Sequence, residues 1–248
     1  MTISAVILTR NEEENIRGCL ESINFCNEVV LVDDNSQDQT VKIARNLGAK
    51  VYKRDLDGDF AGQRNFGLTK AQGKWVLFLD ADERVSLKLQ KEILSAVRKD
   101  GVNGYYIKRL DYLWGKSLRY GEIGIVKIVR LAKKGKGEWV RNVHECWKIE
   151  KPLARLKNYI EHRPHSAVSS FISSINSFSS LHAIANKKEG KKSNPFKIIF
   201  FPFFKFIKGY FLQLGFLDGI QGFVVAIIMS FHSFLSWSKL WIKEKYSN

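Results

Sequence analysis

Short apolar runs alternate with helical patterns through the first part of the chain. The runs at 3–8, 28–32 and 75–79 consist mostly of aliphatic and aromatic residues, which is typical of strands buried on both faces of a sheet. Each run is followed by apolar residues at helical spacing, and a weaker run at 50–53 precedes a further helical pattern at 60–71. The alternation predicts parallel βαβ units, and therefore an α/β domain.

Polar residues follow three of these strands directly. They are Thr9, Asn11, Asp33, Asp34, Asp80 and Asp82. Because the carboxyl ends of parallel strands meet at one edge of a sheet, these side chains predict a ligand cleft. The aspartates of the last pair repel each other unless a cation, a sugar hydroxyl or a basic partner offsets them. The alternative is that one of the last pair only caps the helix that begins near Ser86.

The pattern changes between residues 104 and 147 to short strands separated by glycine turns. We expect antiparallel or mixed structure here, laid across the ligand edge of the sheet. His144 and Glu145 end an alternating strand, and a glutamate beside a histidine can serve as a general base. The alternative is a surface glutamate paired with Arg141.

Histidines and cysteines give weaker signals. His162 and His165 are candidate metal ligands, but the proline between them breaks helical spacing and no third ligand follows from the sequence, so a structural role is favoured. The three cysteines include no C-x-x-C pair. This argues against a disulfide framework and a cysteine zinc site, and favours buried thiols in a reducing cytoplasm.

The C-terminal part is both basic and strongly apolar. An apolar run at 194–217 is interrupted by Pro202 and by three lysines, Lys197, Lys205 and Lys208. A spanning helix needs about 20 apolar residues with few charges, so an interfacial segment with lysines reaching the headgroups fits better. Residues 222–237 are more apolar but short, and read as interfacial, re-entrant or partner-binding. A soluble helical hairpin packed on the domain is the alternative.

Composition and charge narrow the class of protein. With 45% hydrophobic and 26% charged residues the chain has globular values,. The net charge of +15 indicates a polyanionic partner,. Since the basic residues gather beside the apolar tail, we expect an anionic membrane surface and no nucleic acid. The N-terminus enters a strand without a signal-peptide pattern, so export is not expected.

Two nucleotide-binding motifs are excluded. No G-x-G-x-x-G follows the first strand, which argues against a dinucleotide-binding domain. Gly115, Lys116 and Ser117 match the end of a P-loop, but Leu110 stands at the required first glycine, and no parallel strand and helix flank the match.

Four motifs in order resemble the family 2 inverting glycosyltransferases of the GT-A fold. They are TRNEE at 9–13, VDDNSQDQT at 32–40, GQRNFGLTKAQGKW from 62 and VLFLDADE at 76–83. NVHE at 142–145, GFLDG at 215–219 and the aromatic tail are similar to bacterial lipopolysaccharide core biosynthesis glycosyltransferases of the WaaE/KdtX type. The resemblance implies a Rossmann-like, mostly parallel sheet with helices on both faces and a helical, membrane-associating C-terminal segment. It also implies a nucleotide-sugar-binding half at 1–103, an acceptor-side half at 104–185 and the membrane-associating segment at 186–248.

The resemblance also implies roles for individual residues. Thr9, Asn11 or Glu12, and Asp34 would surround the uracil or an equivalent nucleobase, and Asp33 would shape the loop. Arg64 would approach the diphosphate, Asp80 the ribose or donor sugar, and Asp82 the metal, Mg²⁺ or Mn²⁺. The usual base of these enzymes is an aspartate in a Glu-Asp pair, which is missing after residue 100. Glu145 is expected to take its place.

The implied reaction moves a hexose, glucose above all, from a nucleotide sugar such as a UDP-sugar to a membrane-anchored saccharide acceptor, the lipopolysaccharide inner core. The enzyme would be peripheral, at the cytoplasmic face of the inner membrane. A sugar-phosphate nucleotidyltransferase is the first alternative, but it calls for a Gly-rich basic loop after strand 1. A noncatalytic membrane scaffold is the second, and it would tolerate loss of Asp82.

Overall fold

A computed structural model describes residues 1–123, 125–141, 145–164 and 167–246. Residues 142–144 and 165 lie outside these ranges, so the structure says nothing of His144 or His165. The chain divides into two compact units. The first consists of Met1–Arg109 and Val126–His162, and the second of Leu110–Ile125 and Arg163–Asn248.

The helices and strands follow the predicted order as far as residue 96, apart from a short additional strand at 83–85. They are β1 (Ile3–Thr9), α1 (Ile16–Ser22), β2 (Glu28–Asp33), α2 (Thr40–Asn46), β3 (Lys50–Lys53), α3 (Phe60–Lys70), β4 (Trp75–Asp80), β5 (Glu83–Val85), α4 (Leu87–Ala96), β6 (Gly104–Leu113), β7 (Lys116–Ser117), β8 (Val126–Lys133), β9 (Gly137–Val140), β10 (Cys146–Ile149), β11 (Leu153–His162), α5 (Val168–Lys188), α6 (Pro195–Ile207) and α7 (Gly219–Tyr246).

The main sheet of the first unit is mixed. Its strand order is β3-β2-β1-β4-β8-β6-β11-β5. The pairs joining β3, β2, β1 and β4 are parallel, whereas β8 pairs antiparallel with both β4 and β6. The parallel half is therefore confirmed, but β6 and β8 extend the sheet instead of lying across its edge, because pairing with β8 covers the hydrogen-bonding edge of β4. Only β9 and β10, among the described strands, form a separate antiparallel ribbon.

Both faces of the sheet are buried, as the continuous apolar runs predict. Ile3, Ala5 and Ile7 of β1 pack in one core cluster with residues of α1 and α4. Val6 points to the other face, where Phe78 packs with α3 and with the tryptophans of the ribbon. This alternation follows from the period of two along a strand. The expectation of helices on both faces is confirmed.

The helix after β4 has its own cap. The Ser86 hydroxyl accepts a hydrogen bond of 3.3 Å from the Leu89 N–H, which closes the first turn of α4. The alternative in which one of the preceding aspartates only caps this helix is therefore wrong. Asp80 and Asp82 remain available for other contacts.

The second unit is built mainly from α5, α6 and α7. Helix α7 packs against both α5 and α6. Pro202 lies inside α6, so the expected interruption of the helix at this proline is wrong. A π-helical turn, Lys208–Leu212, and a 3₁₀ turn, Gly215–Asp218, connect α6 with α7.

One apolar stretch in the described residues is long enough to cross a membrane. It is Gly215–Tyr246, whose most apolar window has a mean hydropathy of 1.5 and is 39% buried inside the protein. The criterion is length and composition only, and core helices of soluble proteins also meet it. The apolar segment at 222–237 lies within helix α7, which has 28 residues and extends beyond the segment at both ends.

Candidate active site

Three strand ends bring the predicted polar residues to one edge. In the sheet register Thr9 of β1 lies opposite Asp33 of β2, and Leu8 of β1 lies opposite Asp80 of β4. The parallel strands β2, β1 and β4 therefore end side by side. The gathering of these side chains at one edge was predicted from the sequence, and the register confirms it.

The loop after β1 is fastened to the loop after β2. The Asn11 N–H donates to the Ser36 hydroxyl at 2.9 Å, and Asn11 Oδ1 accepts from the Gln37 N–H at 2.8 Å. Asn11 has a φ of 53°, a left-handed conformation that asparagine tolerates better than most residues,. The Glu12 N–H donates to the Thr40 hydroxyl at 2.7 Å. Short polar side chains therefore hold the backbone of the loop after β1 and that of the loop after β2.

The polar groups at this edge differ in whether they have hydrogen-bond partners within the protein. Asp34 accepts hydrogen bonds from Arg10 at 3.0 Å and from the Leu56 N–H at 3.1 Å. Asp33 accepts from the Ser36 N–H at 3.0 Å, in keeping with its expected part in shaping the loop. The hydroxyl of Thr9 is buried and has no hydrogen-bond partner among the described residues. A buried hydroxyl of this kind is free to bond a ligand.

The environment of Glu12 is partly buried. Burial raises the pKa of this carboxyl, and the hydrogen bond of 2.9 Å from the Asn15 amide opposes the rise. Glu12 is therefore held less firmly in its charged form than an exposed glutamate.

Asp80 stands between two buried arginines. Arg64 Nη2 lies 2.8 Å from one carboxylate oxygen, and Arg130 Nη2 lies 2.7 Å from the other. Burial alone would raise the pKa of Asp80, but the charges of Arg130 and Arg64 outweigh it and hold the pKa well below its usual range. Asp80 is therefore a permanent anion at this edge.

A β-bulge directs Arg130 towards this aspartate. Tyr105 of β6 lies opposite Leu131 of β8, whereas Tyr106 lies opposite Val129. Arg130 is therefore the extra residue of β8, and bulges commonly redirect a side chain near active sites. The sequence reasoning missed Arg130. The available signal was an arginine within an apolar strand pattern, because a buried arginine requires an acidic partner.

Glu83 contacts both Asp80 and Arg130. Its side chain is fully buried, and Oε2 accepts the Asp80 N–H at 2.9 Å. The Arg130 guanidinium lies 3.6 Å and the Arg109 guanidinium 3.9 Å from Oε1. Burial raises the pKa of Glu83, and the charge of Arg130 partly opposes the rise.

Glu145 joins the cluster through Arg64. Its Oε1 accepts from Arg64 Nε at 3.0 Å and lies 3.0 Å from Nη2 of the same guanidinium. The partner of Glu145 is thus Arg64 and not Arg141, and its side chain is 17% exposed. Arg64 also stacks over the Trp139 ring at 4.6 Å. One guanidinium therefore connects the predicted base with Asp80.

Asp82 has a histidine partner. Its Oδ2 lies 3.2 Å from His162 Nε2, and the two side chains are 20% and 15% exposed. Sequence reasoning favoured a structural role for His162 because no third ligand was evident. Within the described ranges no three His, Cys, Asp or Glu side chains converge as a metal site. The protein offers a carboxylate oxygen and an imidazole nitrogen, which together suit a divalent cation that draws its other ligands from substrate and water.

The mixed sheet with helices on both faces is the architecture of GT-A glycosyltransferases. The chain matches the family Glycosyl transferase family 2 over residues 4–177, and it is a member of that family. The enzyme is therefore a glycosyltransferase. This excludes the two alternative functions, a sugar-phosphate nucleotidyltransferase and a noncatalytic membrane scaffold.

Several relatives match nearly the whole chain, including the following two. An uncharacterized glycosyltransferase of Rickettsia typhi is 32% identical, over 96% of this chain and 86% of the relative. The lipopolysaccharide core biosynthesis glycosyltransferase LpsC of Rhizobium meliloti is 29% identical, over 97% of this chain and 92% of the relative.

A solved structure supports the same architecture. The crystal structure of S. aureus TarS 1–349 in complex with UDP matches with a TM-score of 0.50 and 17% identity, over 100% of this chain and 92% of the other. At this identity the likeness concerns the fold.

Proposed function

We propose that the enzyme transfers a hexose, glucose above all, from a UDP-sugar to a membrane-linked saccharide of the lipopolysaccharide inner core, with inversion. The observation that carries this proposal is the single guanidinium of Arg64, which bonds both Glu145 and Asp80. This pair of contacts supports Glu145 as a candidate base beside the edge where the donor would bind. An inverting displacement needs such a base on the acceptor side of the sugar.

The nucleotide would lie at the ends of β1 and β2. The unpartnered Thr9 hydroxyl and the carboxylates of Glu12 and Asp34 supply polar groups for the base, while Asn11 fixes the loop that carries them. Arg64 Nη1 is also buried without a partner in the described structure. A guanidinium with a spare N–H suits an oxygen of the diphosphate.

Asp82 and His162 would hold a divalent cation, Mg²⁺ or Mn²⁺. Their donor atoms face each other at 3.2 Å, and Mn²⁺ accepts imidazole nitrogen more readily than Mg²⁺ does. When bound, the cation would offset the charge of the departing nucleoside diphosphate. Asp80 is already neutralised by two arginines, so Asp82 is the carboxylate suited to this part.

Glu145 would accept the proton of the attacking hydroxyl. Its side chain remains partly exposed while Arg64 fixes the orientation of its carboxylate. A base within hydrogen-bond reach of the acceptor contributes roughly 100- to 10,000-fold to the rate.

The acceptor and the location follow from two further features. One relative is named for lipopolysaccharide core biosynthesis, and the C-terminal helices expose many large apolar side chains next to lysines. An enzyme that binds a membrane surface meets a lipid-linked acceptor there. We place the enzyme at the cytoplasmic face of the inner membrane, as a peripheral protein.

Titration calorimetry with UDP and UDP-glucose tests the donor site, with Mg²⁺, Mn²⁺ or EDTA. We expect UDP binding that depends on the metal and is lost in Asp82→Ala. Asp100→Ala is the matched control, because Asp100 is an exposed aspartate after α4. Failure of the folded wild-type protein to bind any nucleoside diphosphate would overturn the proposal.

A further inference from the structure

A cavity of about 580 Å³ adjoins the predicted base in the first unit. Its wall is formed by β8, the start of β6, the β9–β10 ribbon and the segment that follows the ribbon. The lining residues that matter here are Tyr106, Lys127, Arg130, Trp139, Glu145, Trp147, Lys148 and Lys151. The volume lies in the range of small-molecule sites, and aromatic walls suit the apolar faces of sugar rings.

The charges around this cavity are unbalanced. Three lysines line it, and Glu145 is the one carboxylate among the lining residues. The fourth cation of the lining, Arg130, is already paired with Asp80 and Glu83. Lys127, Lys148 and Lys151 are exposed, and the described part of the chain provides none of them with an ion pair. Cations that converge on a concave surface raise the local concentration of anions.

The position of the cavity separates it from the donor site. Glu145 lines it, whereas Thr9, Asp34 and Asp82 do not. A base that removes the proton of the acceptor hydroxyl must face the acceptor and not the nucleotide. An anion that binds in this cavity would therefore belong to the acceptor.

We propose that this cavity binds an acidic group, a phosphate or a carboxylate, on the sugar that accepts the hexose. The inference rests on the proposed function and names the class of its acceptor: a negatively charged saccharide. The anionic group contacts the lysines, and the reacting hydroxyl faces Glu145.

Ligand-observed NMR on the full chain tests the inference with three probes. They are glucose 6-phosphate, glucuronate and glucose. The sample contains saturating UDP and Mg²⁺, because Mn²⁺ would broaden the signals by its paramagnetism. We expect the two acidic sugars to bind and glucose to bind at least tenfold more weakly. The triple variant Lys127→Gln, Lys148→Gln and Lys151→Gln should lose about tenfold in affinity for the acidic sugars, because each exposed ion pair changes affinity by only a few fold.

The control removes the same charge from the opposite face of the sheet. It is the triple variant Lys88→Gln, Lys91→Gln and Lys99→Gln, on and just after α4, whose lysines are exposed. We expect it to bind all probes like the wild type, and UDP affinity to be unchanged in both triple variants.

The outcomes separate the sources of the anion. If the cavity variant loses UDP affinity, the anion is the donor diphosphate and the acceptor inference is wrong. Equal binding of glucose and the acidic sugars, or equal losses in the two triple variants, also overturns it. Failure of UDP itself to bind would contradict the proposed function rather than this inference alone.

Discussion

Arg130 Nη2 lies 2.7 Å from Asp80 Oδ2, and the contact exists because Arg130 is the bulged residue of β8. The second oxygen of Asp80 is bonded by Arg64. Each arginine then contacts one further acid, Glu83 in the case of Arg130 and Glu145 in the case of Arg64. Asp80 therefore connects two arginines, and through them the fully buried Glu83 with the candidate base Glu145.

Removing Arg130 should destabilise the protein strongly. In Arg130→Met, Glu83 and Asp80 lose a buried cationic partner, and an uncompensated buried charge costs about 3 to 5 kcal/mol. We expect a decrease in the free energy of unfolding of about 3 kcal/mol, measured by urea denaturation. Lys127→Met, an exposed lysine on the same strand, should change it by less than about 0.5 kcal/mol. Equal effects of the two substitutions would contradict the role given to Arg130.

The depressed pKa of Asp80 gives a dependence of stability on pH. An unfolded aspartate has a pKa of about 3.9, and the folded value lies below it. The contribution of Asp80 is therefore complete above about pH 5 and is lost as the pH falls below about 4. Asp80→Asn should lower the free energy of unfolding by about 2 to 3 kcal/mol at pH 7, and the difference from wild type should shrink towards pH 3. Asp100→Asn should show a difference near zero at every pH.

Much of this edge could be predicted because it depends on local pattern. An apolar run that ends in polar residues, Thr9 in β1 and aspartates in β2 and β4, identifies both a strand and its carboxyl end. Strand β11 escaped prediction because its buried residues, Leu156 and Ile160, lie four positions apart, a spacing that equally fits a helix,.

Other parts of the site depend on tertiary pairing. The bulge at Arg130 is a property of the register between β8 and β6, and no local sequence pattern encodes it. The contact between Asp82 and His162 requires β11 to pair with β5, which places Glu83 opposite His162. Sequence spacing alone shows neither contact.

Glu145→Gln should separate catalysis from donor binding. The amide keeps the shape of the side chain but cannot accept the proton, so kcat should fall by about 100- to 10,000-fold. UDP affinity should remain unchanged, since Glu145 is expected to face the acceptor. Glu150→Gln is the control, because Glu150 is exposed and pairs with Lys136. Retention of full activity by Glu145→Gln would assign the base to another residue.

His162→Ala should weaken the binding of Mn²⁺ more than the binding of Mg²⁺. Loss of an imidazole ligand is expected to lower the Mn²⁺ affinity of the UDP complex on the order of tenfold or more, whereas Mg²⁺ depends chiefly on oxygen ligands. Electron paramagnetic resonance of free Mn²⁺ in the presence of UDP measures this directly. His182→Ala, an exposed histidine of α5, provides the control. If both metals weaken equally, His162 acts by positioning Asp82 and not as a ligand.

The apolar face of α6 should bind lipid. Its large exposed side chains are Phe196, Ile199, Phe200, Phe203 and Phe204, each between 44% and 64% exposed. An exposed patch of this kind beside lysines is typical of an interfacial helix. The full chain should float with vesicles that contain anionic lipid, and Phe200→Glu with Phe203→Glu should abolish flotation. Leu47→Glu with Leu87→Glu, which adds the same charge at exposed apolar positions of the first unit, should leave it intact.

Extraction with alkaline carbonate distinguishes a membrane-spanning helix from an interfacial one in the C-terminal part of the chain. A spanning helix resists extraction, whereas an interfacial one is released once its electrostatic contacts are broken. Helix α7 packs against α5 and α6, and 39% of its most apolar window is buried by the protein itself. Side chains already covered by neighbouring helices contribute no further free energy of transfer to lipid. We therefore expect membranes washed with carbonate to release the enzyme, and retention after washing would instead identify α7 as a spanning helix.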